Sequence, residues 1–362
     1  MMMTKTGEPI VSVVMVIRNV ERYLAEAIES ILNQTFSDFE FIIVDFGSTD
    51  RSKEIAAGFA VRDERVKLSE IPPCSYIEAK IAACSLPTGR YIAIQDADDV
   101  SLSRRLETEV SFLQSHPRVG LLGGAVQWID SQGNCLPSAG DYPTEDREIR
   151  AELRTRNVFW HPTVLILREA FDCVGGYRKI FIQSDDYDLW LRISERYQCA
   201  NLSQKVLNYR IHPQQLSFRS RKDQILCALA AQAAAALRRD GKPDPLNSAR
   251  EITPALLAEI GVSENIQKRE LASGYAGYIH HIFQAGGYAA VPEATAEMLK
   301  VCDGSQMSAH LIADMHILSA RASVKQGKPM LALLSMVRAV RARPRIVGRP
   351  LRELLNRLGL SY

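Results

Sequence analysis

The chain has 362 residues, of which 46% are hydrophobic and 24% are charged, and its formal net charge is +2. This length allows one large domain with an appendage or two domains, and the composition is that of an ordinary soluble globular protein. A net charge so close to zero gives no reason to expect nucleic-acid binding. The seven cysteines form no Cys-x-x-Cys pair, which favours a reducing compartment over a disulfide framework or a zinc site.

Neither the beginning of the chain nor its apolar stretches predict secretion or membrane insertion. The first residues are polar, and the strand-like run Ile10–Ile17 has no small-residue cleavage site after it. The longest apolar stretch, Ile225–Leu237, is interrupted by Gln232 and is too short to span a bilayer. We therefore expect a cytoplasmic protein.

The first part of the chain alternates between strand-like and helix-like patterns. Strands are predicted at Val11–Ile17, Phe39–Asp45, Val66–Ser69 and Tyr91–Gln95, and helices after Asn19, after Gly47–Asp50 and at Tyr76–Cys84. This alternation predicts an α/β fold with a mainly parallel sheet and helices on both faces. Because ligands bind beyond the carboxyl ends of the strands in such sheets, we expect Arg18, Asp45–Asp50 and Asp96–Asp99 to meet in one crevice.

The stretch Asp96–Asp99 directly follows an apolar run. Residues i and i+2 of an extended segment point the same way, so Asp96 and Asp98 can present two carboxylates to one point. Hard divalent cations such as Mg²⁺ take oxygen ligands and often keep substrate phosphates as further partners. The stretch therefore indicates a metal–diphosphate site; the alternative is a solvated loop whose Asp residues cap the next helix.

The character of the sequence changes towards the C-terminus. From about Ser101 to Asn208 the pattern is mixed, with an antiparallel component, and past about Gln214 Ala, Leu, Arg and Gln dominate. The latter composition predicts an α-helical C-terminal region. We place one domain at 1–217 and a helical domain with a basic tail at 218–362.

The basic tail allows two interpretations. Met330–Val340 is apolar, and Glu353 is the only acid after it. The arginines that follow are Arg341, Arg343, Arg345, Arg349, Arg352 and Arg357. A basic amphipathic segment can rest on the anionic inner face of the cell membrane as a peripheral contact. The alternative is a solvated basic helix that closes the helical domain, and the charge pattern does not separate the two.

Several segments resemble, in the same order, the sequence blocks of family 2 glycosyltransferases with the Rossmann-like GT-A fold. On the donor side these segments are Val11–Met15, Asn19, Glu29–Thr35, Phe41–Asp45, Gly47–Asp50 and Tyr91–Asp99. On the acceptor side they are His161–Val164, Gly175–Tyr177, Asp185–Arg192 and Tyr209–Pro213. The resemblance covers roughly Pro9 to Ser217 and leaves the helical remainder unassigned. It implies that the domain at 1–217 has a donor half at about 9–100 and an acceptor half at about 101–217.

The resemblance implies a metal, Mn²⁺ or Mg²⁺, on the donor side. Glycosyl transfer breaks an anomeric C–O bond, and a carboxylate-held metal stabilises the charge that grows on the departing diphosphate. Asp98 is the implied direct ligand, Asp96 contacts the ribose or a metal-bound water, and Asp99 supports or caps the turn. His212 resembles a residue that completes the metal or diphosphate contacts, and its alternative is a surface histidine in a turn.

On the acceptor side an attacking hydroxyl must lose its proton, and a carboxylate with a raised pKa suits this task. The resemblance implies Asp186 as the base, Asp185 as a supporting acceptor contact, and inversion at the anomeric carbon. We interpret the following residues, including Trp190 and Arg192, as a helix in which Trp190 packs inward and Arg192 pairs with an acid.

The resemblance also assigns the nucleotide pocket. Asp45 resembles the acid that hydrogen-bonds a uridine base, with a helix cap as its alternative, and Asp50 lies near the same pocket. Lys80 occupies the place of an arginine that approaches the diphosphate, without the bidentate fork of that side chain. His161 lines the acceptor or donor sugar site.

The chain departs from the family pattern around this pocket. Val16 and Arg18 stand where the family usually has Pro and an aromatic residue, and Phe46 stands where it usually has a second acid. Ile81 and Ala83 replace the common Asn and Gly. We therefore expect an altered donor preference or a weakened nucleotide affinity.

The predicted function is a metal-dependent inverting glycosyltransferase that moves a sugar from a nucleotide-diphosphate donor, such as a UDP-sugar, to a glycan or lipid-linked acceptor in cell-surface polysaccharide synthesis. The alternative is a non-catalytic nucleotide-sugar-binding or assembly protein that retains the fold. A sugar nucleotidyltransferase and a nicotinamide oxidoreductase both need a Gly-rich loop after the first strand, and Val16–Glu21 contains no glycine.

Overall fold

A computed structural model describes residues 7–137, 142–212, 220–284, 286–302 and 307–346. The contacts of the chain define two compact units. The first consists of Met1–Ile211 with Cys227–Ile252, and the second consists of His212–Leu226 with Thr253–Tyr362.

The segment Cys227–Ile252 packs with the first unit, whereas the sequence groups it with the helical region. Two polar contacts show why. The Gln232 side chain donates to the Thr155 carbonyl oxygen at 2.9 Å, and Arg238 pairs with Glu195 at 2.7 Å. These contacts join residues that are far apart in the chain, so local composition does not reveal them. The predicted boundary after residue 217 stays a prediction.

The first unit contains a mixed sheet. Its strands are β1 (Val11–Ile17), β2 (Phe39–Asp45), β3 (Val66–Glu70), β4 (Tyr91–Ile94), β5 (Val100–Ser101), β6 (Val119–Ile129), β7 (Leu165–Leu167) and β8 (Gln198–Arg210). The helices in this part of the chain are α1 (Glu21–Leu32), α2 (Ser52–Arg62), α3 (Tyr76–Ala83), α4 (Arg105–Ser115), α5 (Asp146–Glu152), α6 (Arg168–Cys173), α7 (Asp185–Ser194) and α8 (Arg221–Arg239).

The strand order is β3-β2-β1-β4-β7-β6-β8-β5. Strands β3, β2, β1 and β4 pair in parallel, as do β6 and β8, whose register shifts near Ala125. The pairings of β7 with β4 and β6, and of β5 with β8, are antiparallel. The expected α/β fold with a mainly parallel sheet and an antiparallel component is confirmed.

The apolar sequences of the central strands explain this arrangement. Every residue of β2 and β4 is buried, as expected for parallel strands covered on both faces. The helices supply the covering layers: Leu24, Ile28 and Ile31 of α1 are fully buried. The carboxyl ends of β1, β2 and β4 therefore emerge from a rigid core at one edge of the sheet.

The second unit is helical, as predicted. Its helices after α8 are α9 (Pro254–Glu259), α10 (Glu264–Gln284), α11 (Val291–Val301), α12 (Ala309–Lys325) and α13 (Pro329–Ala342). Tyr275, Met298 and Met315 are fully buried. Among the residues that the structure describes, none of these helices is both long and apolar enough to cross a membrane.

A buried polar network fixes the turn that follows β4. The Gln95 side-chain amide donates to the carbonyl oxygens of Asp96, at 2.9 Å, and Asp99, at 3.0 Å. Its oxygen accepts from Arg105 at 3.1 Å. Arg105 pairs with Glu109 at 3.1 Å, and both side chains are 0% exposed. Burial raises the pKa of Glu109 to about 7, although the charge of Arg105 acts in the opposite direction. The Glu109 carboxylate therefore depends on Arg105 to remain charged.

We expect Arg105→Leu to lower the free energy of unfolding by about 3–5 kcal/mol, because it leaves a buried charge without its partner. Denaturant unfolding followed by circular dichroism measures this loss. Arg104→Leu is the matched control, because the Arg104–Glu107 pair is exposed and exposed ion pairs contribute little. Equal destabilisation by the two substitutions would contradict the assignment.

Candidate active site

The ends of β1 and β2 meet, as the sequence predicts. The Asn19 side-chain oxygen accepts from the Thr49 backbone N–H at 2.8 Å, and the Arg18 guanidinium lies over the Phe46 ring, 5.5 Å from its centroid. Phe46 is buried and contacts the Tyr76 ring edge-on, with 6.2 Å between centroids. An aromatic wall with a cation above it therefore stands where the family usually has an acid. Val16 is half-buried beside it on β1.

Asp45 ends β2 with one oxygen paired and one oxygen unpaired. Its Oδ1 accepts from the backbone N–H groups of Gly47 and Ser48, both at 2.8 Å. Its Oδ2 is buried without a hydrogen-bond partner among the described residues. Gly47 has a φ of 96°, and a Cβ there would lie 2.7 Å from Pro73 Cγ. The turn therefore requires glycine, and it leaves one buried carboxylate oxygen without a hydrogen-bond partner within the described part of the chain.

Asp50 serves the helix starts. Its Oδ2 accepts from the Glu21 backbone N–H at 3.1 Å, and its Oδ1 accepts from the Ser52 backbone N–H at 2.9 Å. It thereby caps the first turns of both α1 and α2. The structure shows Asp50 in this capping role. Its predicted role in the nucleotide pocket stays a prediction.

The acidic turn after β4 holds three carboxylates in different surroundings. Asp98 is half-buried. Asp99 is buried; its Oδ1 accepts from the Arg210 backbone N–H at 2.7 Å, and its Oδ2 has no hydrogen-bond partner among the described residues. Burial, and then the charges of Asp98 and Asp96, raise the pKa of Asp99 well above its usual range.

Asp96 is held by a histidine from a distant segment. Its Oδ1 lies 3.3 Å from His161 Nδ1. Burial alone raises the pKa of Asp96, but the charge and hydrogen bond of His161, with Lys80 and Arg105, bring it below the ordinary value. Asp96 is therefore an anion in the resting site.

These residues fit a divalent cation that the donor completes. In the described parts of the chain, no group of three or more His, Cys, Asp or Glu side chains is arranged to hold a metal by itself. Mg²⁺ is usually bound by one or two carboxylates together with substrate phosphates. Half-buried Asp98 suits that pattern, whereas Asp99 is buried and holds the turn through its bond to the Arg210 backbone N–H. His212 is buried and is the first residue of the second unit. Its predicted metal role stays a prediction.

A second carboxylate pair begins α7. Lys80 Nζ donates to Asp185 Oδ2 at 2.6 Å, and the two side chains are only 6% and 9% exposed. The ammonium also lies 4.8 Å and 4.9 Å from the ring centroids of Tyr76 and Tyr177. The sequence assigns Lys80 to the diphosphate, and that role stays a prediction. The structure places its charge on Asp185.

Asp186 has the surroundings of a general base. Its Oδ2 accepts from the Asn157 side-chain amide at 2.9 Å. Burial and the adjacent charge of Asp185 raise its pKa, while His161 and Lys80 oppose that rise. A carboxylate with a raised pKa takes up a proton more readily near neutral pH.

His161 joins the two carboxylate groups. Its Nδ1 faces Asp96, and its Nε2 lies 3.4 Å from Lys80 Nζ and 3.3 Å from the Tyr177 hydroxyl. Sequence reasoning placed His161 only generally in a sugar site, and it missed the roles of Tyr177 and Asn157. Tyr177 lies in a segment that the resemblance already covered, whereas no pattern in the sequence distinguishes Asn157.

The remainder of α7 is structural, as interpreted from the sequence. Asp188 is fully buried and pairs with Arg178 and with Arg192 at 2.8 Å. Trp190 is also fully buried. The inward packing of Trp190 and the pairing of Arg192 with an acid are confirmed.

Comparison with known proteins identifies the class. Residues 12–175 match the family described as Glycosyl transferase family 2. The chain is 35% identical over 211 residues to the putative glycosyltransferase EpsE of Bacillus subtilis (strain 168), covering 56% of this chain and 73% of that protein. It is 34% identical over 210 residues to the O-antigen biosynthesis glycosyltransferase WbnJ of Escherichia coli, covering 56% of this chain and 80% of that protein.

A solved structure supports the fold. S. aureus TarS 1–349 in complex with UDP-GlcNAc superposes with a TM-score of 0.54 at 16% identity, over 89% of this chain and 90% of that chain. The chain therefore belongs to the family 2 glycosyltransferases and is a glycosyltransferase with the GT-A fold and a helical C-terminal region. The resemblance that the sequence blocks indicated is confirmed.

We expect Lys80→Met to move the acidic limb of the kcat/KM profile to higher pH. A base works only when deprotonated, so the rate falls as pH drops through its pKa. Lys80 favours the Asp186 carboxylate, and removing that cation raises the pKa of Asp186 further.

The measurement is kcat/KM against pH with an active donor–acceptor pair. Lys80→Arg keeps the charge and is the matched control, for which the acidic limb should stay near its wild-type position. If the acidic limb of Lys80→Met stays at the wild-type pH or moves to lower pH, Lys80 does not act on this carboxylate pair.

Proposed function

We propose that the protein is a metal-dependent inverting glycosyltransferase. It transfers a sugar from a nucleotide-diphosphate donor, most simply a UDP-sugar, to a hydroxyl of a glycan or glycolipid acceptor in cell-surface polysaccharide synthesis. The observation that carries this proposal is the position of His161, 3.3 Å from Asp96 and 3.4 Å from the lysine that pairs with Asp185. A donor-side acidic turn and an acceptor-side carboxylate pair thereby belong to one site.

On the donor side, Asp98 would hold Mn²⁺ or Mg²⁺ as the direct ligand, and Asp99 supports the turn through its bond to the Arg210 backbone N–H. The ion, when bound, supplies positive charge to the departing diphosphate. The unpaired Oδ2 of Asp45 accepts from the base N–H of the nucleotide, since a buried acceptor without a partner gains most from such a bond. The fold relative TarS holds UDP-GlcNAc in its solved complex, which agrees with a uridine donor.

On the acceptor side, the hydroxyl oxygen attacks the anomeric carbon while its proton passes to the Asp186 carboxylate. The bond from that carbon to the diphosphate oxygen breaks, and its electron pair leaves with the diphosphate. Attack from the face opposite the leaving group inverts the anomeric centre without a covalent intermediate. Asn157 orients Asp186 through its 2.9 Å hydrogen bond, and Asp185 supports the acceptor.

The donor pocket is altered in a definite way. A second acid at position 46 would offer a polar contact, whereas Phe46 offers a buried ring with the Arg18 guanidinium 5.5 Å above it. We expect this pair to change donor preference or to weaken nucleotide binding. The same substitutions favour the second candidate, a non-catalytic nucleotide-sugar-binding or assembly protein.

Calorimetric titration of UDP into the protein, with and without Mn²⁺, tests the donor site. We expect binding that needs Mn²⁺, and about a tenfold or greater loss in Asp98→Ala, because the metal links protein to diphosphate. Asp172→Ala removes an exposed carboxylate and is the matched control. The double change of Phe46→Asp and Arg18→Tyr should alter affinity if these two residues shape the pocket.

The Asp186→Asn variant separates the two candidate functions when UDP binding and turnover are both measured. If the protein is the proposed glycosyltransferase, we expect unchanged UDP binding and a rate of sugar transfer about 10²–10⁴-fold lower, because the base is lost. Turnover that survives at the wild-type rate would refute Asp186 as the base. UDP binding without turnover of any donor–acceptor pair in the wild type would favour the non-catalytic protein.

We also propose that the basic tail forms a peripheral contact with an anionic membrane surface. On α13 Met330, Leu331, Leu333 and Leu334 are 75%, 49%, 55% and 45% exposed. No acid occurs from Met315 to Arg352. The basic residues of that stretch are Arg321, Lys325, Lys328, Arg338, Arg341, Arg343, Arg345, Arg349 and Arg352. Exposed apolar side chains in a stretch of sequence whose charged residues are all basic match the chemistry of an anionic lipid surface.

Co-sedimentation with phosphatidylcholine vesicles, with and without phosphatidylglycerol, tests this contact. We expect salt-sensitive binding to the anionic vesicles and a loss of about tenfold in Leu333→Glu/Leu334→Glu, because the apolar face is then charged. Val61→Glu, at a residue that is 89% exposed in the first unit, is the control. Equal binding of the double variant and the wild type would refute the contact.

A further inference from the structure

Three aromatic side chains of the first unit form a half-buried group, here called the aromatic patch: Tyr142, Trp160 and Tyr209. The ring centroids of Trp160 and Tyr209 lie 4.9 Å apart, and those of Tyr142 and Trp160 lie 5.7 Å apart. Trp128 contacts Trp160 edge-on, with 6.2 Å between centroids, and is itself buried. The patch thus has a buried floor and partly exposed rings.

The patch is tied to the reaction centre through Trp160. The adjacent residue His161 lies 3.3 Å from Asp96. Three residues before Trp160, Asn157 donates to Asp186 at 2.9 Å. One short segment therefore carries Trp160 and contacts both the donor-side acid and the base.

A second tie runs through the end of β8. The backbone N–H of Arg210 donates to Asp99 Oδ1 at 2.7 Å, and the preceding residue is Tyr209. Successive side chains of a strand point to opposite faces of the sheet. Arg210 accordingly reaches Glu26 at 2.6 Å, while Tyr209 contacts Trp160. The patch is thus joined to the site through neighbouring residues of the chain, and Tyr209 lies on the face of the sheet opposite the Arg210 side chain.

Other aromatic side chains of the first unit are buried more completely than those of the patch. Trp190 is fully buried and Trp128 is 6% exposed, as is usual for aromatic side chains that only fill a core. The patch instead keeps its rings partly exposed, with the Arg156 guanidinium 5.3 Å from the Tyr142 centroid. Aromatic walls with a few polar groups at the rim are typical of small-ligand sites.

We infer that the aromatic patch is the subsite for the terminal pyranose of the acceptor. A pyranose presents an apolar C–H face, which matches the Trp160 ring, and hydroxyls around its edge, which match a polar rim such as Arg156. This inference rests on the proposed transferase function, because the patch binds the saccharide whose hydroxyl Asp186 deprotonates. The occupant is a saccharide; a lipid chain or a peptide on the patch would be a different outcome of the test.

Saturation-transfer difference NMR tests the subsite with three probes: the methyl β-glycosides of glucose, galactose and N-acetylglucosamine. We expect the wild type to saturate the ring C–H protons of at least one probe. Trp160→Ala and Tyr142→Ala should reduce this saturation by about tenfold, and Trp160→Phe should keep most of it, because an aromatic face is what the sugar contacts. Tyr288→Ala removes a half-buried aromatic residue of the second unit and should leave it unchanged.

UDP binding with Mn²⁺ is measured on the same samples, so the two proposals fail separately. Saturation of no probe by a wild type that binds UDP overturns the subsite and leaves the transferase proposal standing. A wild type that binds no UDP but shows patch-dependent saturation overturns the UDP-donor proposal and leaves saccharide binding at the patch standing. Saturation that persists in Trp160→Ala also overturns the subsite. Should Trp160→Ala fail to fold, Trp160→Phe and Tyr142→Ala carry the comparison.

Discussion

The ion pair between Lys80 and Asp185 is the interaction on which the site depends. Asp185 and Asp186 are adjacent at the start of α7, and the acidic turn adds Asp96, Asp98 and Asp99 at the same edge of the sheet. Two unit charges about 4 Å apart interact by about 4 kcal/mol at an effective dielectric of about 20. Without compensating cations, so many carboxylates would not stay ionised together. Lys80 supplies that compensation at 2.6 Å from Asp185.

The compensation is unequal, and the inequality separates the roles of the acids. Asp96 is kept an anion by His161 and the nearby cations, whereas the pKa values of Asp99 and Asp186 are raised by burial and by neighbouring acids. An ionised acid such as Asp96 suits the surroundings of a metal, and the raised pKa of Asp186 suits proton uptake. One cluster of like residues can therefore serve two chemical tasks.

Local sequence pattern was sufficient for the four parallel strands β1–β4 and for the acidic turn. β1, β2 and β4 are nearly continuous apolar runs, and buried parallel strands carry that pattern openly. It was insufficient wherever the decisive partner is distant in the chain. Lys80 and Asp185 are 105 residues apart, and Asn157 approaches Asp186 only because α7 folds back onto its segment. Polar pairs between distant residues produce no periodic pattern in the sequence. For the same reason, the sequence does not predict that Cys227–Ile252 packs with the first unit.

The end of β8 has a consequence for how this protein can be altered. The side chains of Tyr209 and Arg210 lie on opposite faces of the sheet, so the parity of the strand decides which of them meets Glu26 and which meets Trp160. Inserting a single residue ahead of them would exchange the two faces, whereas an insertion of two would restore them. The pairing of β8 with β6 already shifts register near Ala125, and Ser203, Gln204 and Lys205 beside that shift are exposed. Changes in chain length, in evolution or in engineering, are therefore best tolerated there in even steps.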